Sequence, residues 1–265
     1  PPPPPPSLTT RPPPTPTRIE CRRQRQMCIR DSSADRILSE YSFYRDGSTE
    51  LRNGLLEHVQ LFDKKALRGG HLFRVGDRSD SICLVGSGNI RVYVSGMSGR
   101  GVLLYSVRAG EICPINMRMV LARTVALANA DVSSDLVAVV LSRAGVRDLS
   151  TRFSEFHQFV EQSVADRFEE IIVRISDITT RSVDHRLLGF LLDGFDKSEN
   201  ARPTVEMTNE DIALAVGTAR EVVNRKLHEF ERLGALKRGR GRIWLEDRAA
   251  LQALMKSKRS VGAAS

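Results

Sequence analysis

The chain has 265 residues, with 40 Lys plus Arg against 32 Asp plus Glu, a formal net charge of +8, and 41% apolar but only 6% aromatic residues. Such a composition supports a buried core in one large or two ordinary domains and excludes wholesale disorder. No apolar run approaches the roughly 18 residues that argue for a membrane span, the greasiest being strand-sized pieces such as LVAVVL at 136–141. A protein of the cytoplasm, without membrane contact, is expected.

Ten of the twelve prolines lie in the first sixteen residues, and residues 1–32 hold six Arg against Glu20 and Asp31. This Pro-rich tail has no usable periodicity and no apolar core of a secretory signal. Its CRRQRQMCIRDS segment resembles a translated sequencing adapter. The tail is therefore expected to be foreign to the protein, with the authentic start missing. A Pro-rich interaction arm and a basic DNA-binding arm are its other readings.

From about residue 70 come short strand-like pieces separated by glycine: HLFRVGD, SICLVGSG, NIRVYVSG, VLLYSVRAGE and DLVAVVLS. Strands at this spacing predict an antiparallel β domain over about 70–145, a sandwich or barrel within a sensor region of 36–150. Beyond the tail only Cys83 and Cys113 remain, too few for the usual four ligands of a structural zinc or an iron–sulfur cluster. Both are expected as buried thiols. His58, His71, His157, His185 and His228 show no HxH or HExxH spacing. No nucleophile arrangement is suggested, and GSGNI lacks the setting of a phosphate loop, so a non-enzyme without a metal site is expected.

The period then changes. Val164, Phe168, Ile171, Ile175 and Ile178 step by 4, 3, 4 and 3 along a helix expected over 153–180. That spacing suits packing against a parallel partner helix, and so a homodimer; packing on the chain's own β domain is the alternative. A boundary is expected near 178–183. After it, Asp184 is read as the cap of a helix presenting Leu187, Leu188, Leu191 and Leu192, and the polar loop 196–203 as internal to a second domain spanning 183–255.

Residues 207–247 read as helix, turn, helix, hairpin. Thr208 caps a first helix with Ile212, Ala213 and Val216 inward, and Gly217 permits the turn. Thr218 with Glu221 forms a capping box opening the second helix. Val223, Leu227 and Phe230 make the buried face of that helix. Opposite them project Arg220, Glu221, Asn224, Arg225 and His228, side chains of the kinds that read base edges: Arg toward guanine, Glu toward cytosine, Asn toward adenine. A merely solvated helix face is the plainer reading. The neighbouring Lys237, Arg238, Arg240 and Arg242, interleaved with Gly239 and Gly241, favour DNA, since they form a phosphate-binding tip, with Thr208 and Thr218 as further phosphate contacts.

TAREVVNRKL, FERLGAL and RGRIWL resemble the winged helix-turn-helix of the cyclic-AMP-receptor and fumarate-nitrate-regulator (Crp/Fnr) superfamily, and LFRVGDRSDSICLVGSGNIRVY is similar to that family's β-roll. The resemblance covers about 36–252. It implies an α+β chain: an N-terminal antiparallel β-roll of the cyclic-nucleotide-binding, jelly-roll type, a long dimerisation helix and a C-terminal winged helix-turn-helix. It further implies a homodimeric transcription regulator, activator or repressor, in which Arg220, Glu221 and Arg225 read a TGTGA-like half-site of a pseudo-palindromic operator in double-stranded DNA. As an activator it would also meet RNA polymerase.

The family's nucleotide pocket would place Gly110 and Glu111 with Arg123 and Thr124, where the phosphate cradle here reads Arg-Thr-Val-Ala after a slightly longer intervening segment. A cyclic nucleotide is one option for the effector, which stays unknown. An iron–sulfur cluster lacks its cysteines, and haem has only His71 and Cys83. Two rival classes are a cupin-type enzyme, which lacks its histidines, and a nucleotide-regulated subunit acting by protein contact without DNA. The charge divides accordingly: 22 basic and 22 acidic residues in 33–202, against 12 and 8 in 203–265.

Overall fold

The computed structural model describes residues 33–64, 70–96 and 101–257. The Pro-rich tail, and with it the expectation that it is foreign, lies outside the described residues. Among those described, the N-terminal half holds seven strands in two antiparallel sheets. One sheet comprises β1 (Val59–Lys64), β3 (Ser81–Ser87) and β7 (Leu136–Ser142), with β7 in the middle. The other comprises β2 (His71–Phe73), β4 (Ile90–Ser95), β5 (Gly101–Val107) and β6 (Asn129–Val132), in the order β2-β6-β4-β5.

SICLVGS and LVAVVLS are apolar throughout because both faces of their sheet are covered. Side chains alternate across a strand. Cys83 and Val85 enter the core between the sheets with Leu136 and Ala138, while Ile82 and Leu84 join Val139 and Leu141 against a helical layer. That layer is built from α1 (33–38), α2 (Ser42–Arg45), α3 (Thr49–His58), α4 (Pro114–Ala122) and α5 (Arg143–Arg152). Starting the β region at residue 70 misses β1. Strand-only reading also misses α4, whose signals are Pro114 in the first turn and Cys113 as cap, its Sγ accepting from the Asn116 N–H at 3.5 Å.

The long helix α6 (Ser154–Thr180) has 27 residues, about 40 Å at 1.5 Å per residue. Its first turns are pinned by aromatic contacts, Phe156 edge-on to Phe43 and Phe159 to Tyr41. Further along, Val164 (45% exposed), Phe168 (66%), Ile172 (50%) and Ile175 (53%) form an uncovered apolar stripe. Ile171 and Ile178 depart from the expected seam. Ile171 packs on the core between the sheets, and Ile178 lies against Gly217, where an added Cβ would stand 3.1 Å from its Cδ1. The domains of the same chain occupy that side of the helix, and Ile172 extends the outward stripe instead.

The C-terminal half comprises α7 (Val183–Asp196), β8 (Thr204–Val205), α8 (Asn209–Val216), α9 (Arg220–Arg232), β9 (Leu236–Gly239), β10 (Arg242–Leu245) and α10 (Arg248–Ser257). Its strands form a small sheet in the order β8-β10-β9. Leu187, Leu188, Leu191, Ile212, Val216, Val223, Leu227, Phe230 and Ile243 share one core. Two capping expectations are corrected. Ser182, not Asp184, caps α7, accepting from the His185 N–H, and Asp184 instead takes the Lys226 ammonium at 2.9 Å. The capping box at α9 does not form: Ala219 is the cap position, one residue too late for the Thr218 hydroxyl to reach the first turn.

Candidate DNA-reading face and sensor cleft

Thr208 caps α8 as expected, its hydroxyl accepting from the Asp211 N–H at 3.2 Å and donating to the Asp211 carboxylate at 2.8 Å. Gly217 ends the helix with φ of 73°, a left-handed conformation that glycine adopts without a Cβ penalty, and α9 starts three residues later. Val223, Leu227 and Phe230 are fully buried. The helix period therefore leaves Arg220, Glu221, Asn224, Arg225 and His228 exposed together. Beside them the two-residue turn Arg240-Gly241 closes the β9–β10 hairpin, with Lys237, Arg240 and Arg242 exposed. A cleft of about 470 Å³ between hairpin and helices is lined by Thr208, Asn209, Arg220, Arg238 and Arg242.

Individual side chains refine this picture. Thr218 is only 4% exposed, packed into the turn behind Gly217, so its hydroxyl is not offered to a phosphate at the surface. Arg242 pairs with Glu206 at 3.2 Å, leaving Lys237 and Arg240 as the less encumbered cations of the hairpin. Arg238 is folded back. Its guanidinium donates to the Asn224 backbone carbonyl and to Asn224 Oδ1, both at 3.2 Å, and Asn209 Nδ2 donates to the same Oδ1 at 3.2 Å.

In the β-roll, Gly110 has φ of 79°, and a Cβ there would stand 2.7 Å from the Glu40 carbonyl. The turn it makes presents Glu111, whose Oε2 accepts from the Arg108 N–H at 2.8 Å and from Arg167 at 2.6 Å. Arg167, on α6, is 8% exposed. It also holds both carboxylate oxygens of Glu170, at 2.7 and 2.8 Å, and lies over the Tyr105 ring. Burial works to lower its pKa, but Glu170 and Glu111 more than compensate and raise it, so the guanidinium stays charged.

Glu111 borders two clefts. The larger, about 770 Å³, runs between β5 and α6 and is lined by Tyr105, Ser106, Arg108, Arg167, Glu170 and Arg174 among others. The smaller, about 150 Å³, includes Gly110, Phe159 and Ser163. Neither includes Arg123 or Thr124, the other half of the expected phosphate cradle. Arg123 ends α4 in the left-handed region, exposed, its carbonyl accepting from Arg78 at 2.9 Å. The Thr124 hydroxyl is enclosed without a hydrogen-bond partner. Glu111 is thus brought together with the Arg108 N–H just after β5 and the Arg167 guanidinium of α6, which the sequence pattern did not single out.

Burial raises the thiol of Cys83, to about 12, and that of Cys113. Neither is a thiolate at neutral pH. Among the described residues there is no group of three or more His, Cys, Asp and Glu placed to hold a metal ion, and no helix long and apolar enough to cross a membrane.

The two halves touch through residues unremarkable in the sequence. Arg91 on β4 pairs with Asp211 on α8. Leu214 of α8 sits over Gly101, where a Cβ would stand 2.7 Å from its Cδ1. The C-terminal carbonyls of α8 receive two arginines, Arg174 at Ala215 and Arg186 at Val216, both at 2.9 Å, where the helix dipole favours cations.

Two family profiles match the chain: the cyclic nucleotide-binding domain over 64–153 and the Crp-like helix-turn-helix domain over 185–254. The transcriptional regulator SdrP of Thermus thermophilus is 28% identical over 105 residues, which are 38% of this chain; the chain thus spans about half the length of that curated relative. Similar folds include a Crp/Fnr-family protein from Eubacterium rectale (TM-score 0.68, 22% identity, 82% of this chain and 99% of that one). The c-di-GMP-responsive regulator CLP of Xanthomonas campestris is also similar (TM-score 0.66, 16% identity, 75% and 99%). With a cyclic-nucleotide-binding type β-roll, a long connecting helix and a Crp-like helix-turn-helix in this order, the chain belongs to the Crp/Fnr superfamily of transcriptional regulators.

Proposed function

We propose that this protein is a sequence-specific DNA-binding regulator that grips a pseudo-palindromic operator as a homodimer and couples a signal in its β-roll to DNA affinity. The observation that carries this reading is the exposure of Arg220, Glu221 and Arg225 on one face of α9, directly beside a hairpin tip bearing Lys237 and Arg240. Base-reading and phosphate-holding chemistry then meet at one surface. The uncovered stripe Val164, Phe168, Ile172 and Ile175 suits a second copy of α6. Two α9 helices would then enter successive major grooves about one turn apart.

For the signal, the β5–α6 cleft is the best-placed site. Arg174 lines it and also holds the Ala215 carbonyl of α8, so a ligand that engages Arg174 acts on the helix-turn-helix directly. The role assigned is regulatory rather than catalytic. Selection of bound sequences from random duplex DNA, with and without cyclic AMP or c-di-GMP, tests the reading. Inverted TGTGA-like half-sites are expected; no enrichment at low salt would overturn it.

A further inference from the structure

The wing arginine Arg238 does not face outward as a free cation. It is half-buried, and its two terminal nitrogens donate to the backbone carbonyl and side-chain oxygen of Asn224 on α9. Guanidinium has donors only, so the end of the Asn224 amide facing Arg238 must be its oxygen. Asn209, at the start of α8, donates to that same oxygen. An amide oxygen has two lone pairs, and both are used.

Reading adenine takes one acceptor and one donor, Oδ1 for N6–H and Nδ2–H for N7. Asn224 retains only its Nδ2 hydrogens. We propose that Asn224 is a donor-only specificity residue, favouring guanine over adenine and rejecting cytosine, and that Arg238 is the positioning residue that makes it so. Guanine offers O6 and N7 as acceptors and thymine offers O4. Adenine keeps its N7 acceptor but sets its N6 amino group donor-to-donor where guanine has O6, and cytosine offers only its N4 donor. The adenine preference expected from the residue type alone is thereby reversed by the wing. This inference rests on the DNA-binding reading above.

Selection from random duplexes by the full chain and by Arg238→Ala and Asn224→Ala variants tests it. The parent is expected to show, beside the positions set by Arg220, Glu221 and Arg225, one position where guanine outnumbers adenine and cytosine each roughly tenfold. Arg238→Ala frees a lone pair of Oδ1 and should move that position toward adenine, a change that loss of a phosphate contact would not produce. Asn224→Ala should leave the position unselective and the others intact. An adenine-preferring or unselective position in the parent overturns the proposal, as does an Arg238→Ala variant that binds more weakly with its base preferences unchanged. Absence of any inverted half-site with the parent would instead sink the DNA-binding reading itself.

Discussion

Arg91, on the central strand pairing of the outer β-roll sheet, and Asp211, in the first turn of α8, form an ion pair that joins the β-roll to the helix-turn-helix. Both side chains are about three-quarters buried, and the Arg91 Nε is enclosed without a hydrogen-bond partner. An unpaired buried donor costs about 1–3 kcal/mol, which offsets much of what the pair contributes. The clasp therefore fixes position more than it adds stability. Arg91→Ala is expected to change the melting temperature by only a few degrees while broadening the distribution of interdomain distances measured between spin labels. An unchanged distribution would show that the pair restrains nothing.

The pH dependence of this clasp has a definite sign. Partial burial works to raise the Asp211 carboxyl, but hydrogen bonds from Arg91 and Thr208 outweigh it and hold the pKa below its ordinary 3.8. A depressed carboxyl contributes stability that is fully present above its ordinary pKa and is lost as pH falls through the native one. The interdomain distances should therefore be constant from about pH 5 to pH 8 and change only in acid below roughly pH 4. Asp211→Asn should reproduce the acid behaviour at neutral pH. A transition near pH 6 would assign the control to another group.

Arg167 ties α6 to the Gly110-Glu111 turn. Its side chain is 9% exposed, but Glu111 and Glu170 are 37% and 48% exposed and can return to water when it is removed. Replacement by Leu is accordingly expected to cost about 1–2 kcal/mol, short of the 3–5 kcal/mol for breaking a fully buried pair. Lys should not rescue it, having a single ammonium where Arg167 serves two carboxylates and the Tyr105 ring. Thermal or denaturant melting reads the difference.

The proposed self-association would rest on the outward stripe of α6. Phe168→Glu or Ile175→Glu should give monomers in sedimentation velocity at micromolar concentration and lose operator binding, with the far-ultraviolet dichroism retained. Val173→Glu is the control. Val173 is as exposed as its neighbours but stands on the other side of the helix, in the β5–α6 cleft, and should leave the dimer intact.

Base and phosphate contacts separate by their signatures. Arg220→Ala is expected to lose roughly 1–3 kcal/mol of binding and to relax one position of the half-site. Arg240→Ala should weaken all sequences alike and lower the slope of affinity against salt by about one. Equal, sequence-independent losses in both variants would remove Arg220 from base readout.

Features set by neighbours along the chain were legible before the fold was known. The buried face of α9, the Thr208 cap, the Gly217 turn and the Arg-Gly hairpin tip all follow from patterns within a few residues, where helix period and backbone freedom act directly. The same local reasoning failed at Asp184 and at the Thr218 box. Before α7 two capping residues, Ser182 and Asp184, stood two positions apart and the preceding turn chose the first, while α9 starts one residue later than the Thr218 pattern implied, at a cap position held by Ala219. It also merged the two sides of α6, because a 3.5-residue spacing does not say which part of an apolar face the chain's own domains will take; Ile171 and Ile178 went inward.

Taken alone, the sequence determined an antiparallel β domain, a long amphipathic helix and a cationic helix-turn-helix followed by a hairpin, since each follows from periodicity and local backbone chemistry. Only the tertiary structure decided which polar groups meet: Arg167 with Glu111, Arg91 with Asp211, and Arg238 with Asn224. Each pair joins separate elements, and hydrogen bonds act over about 3 Å, a range at which placement of the elements, not residue type, selects the partner.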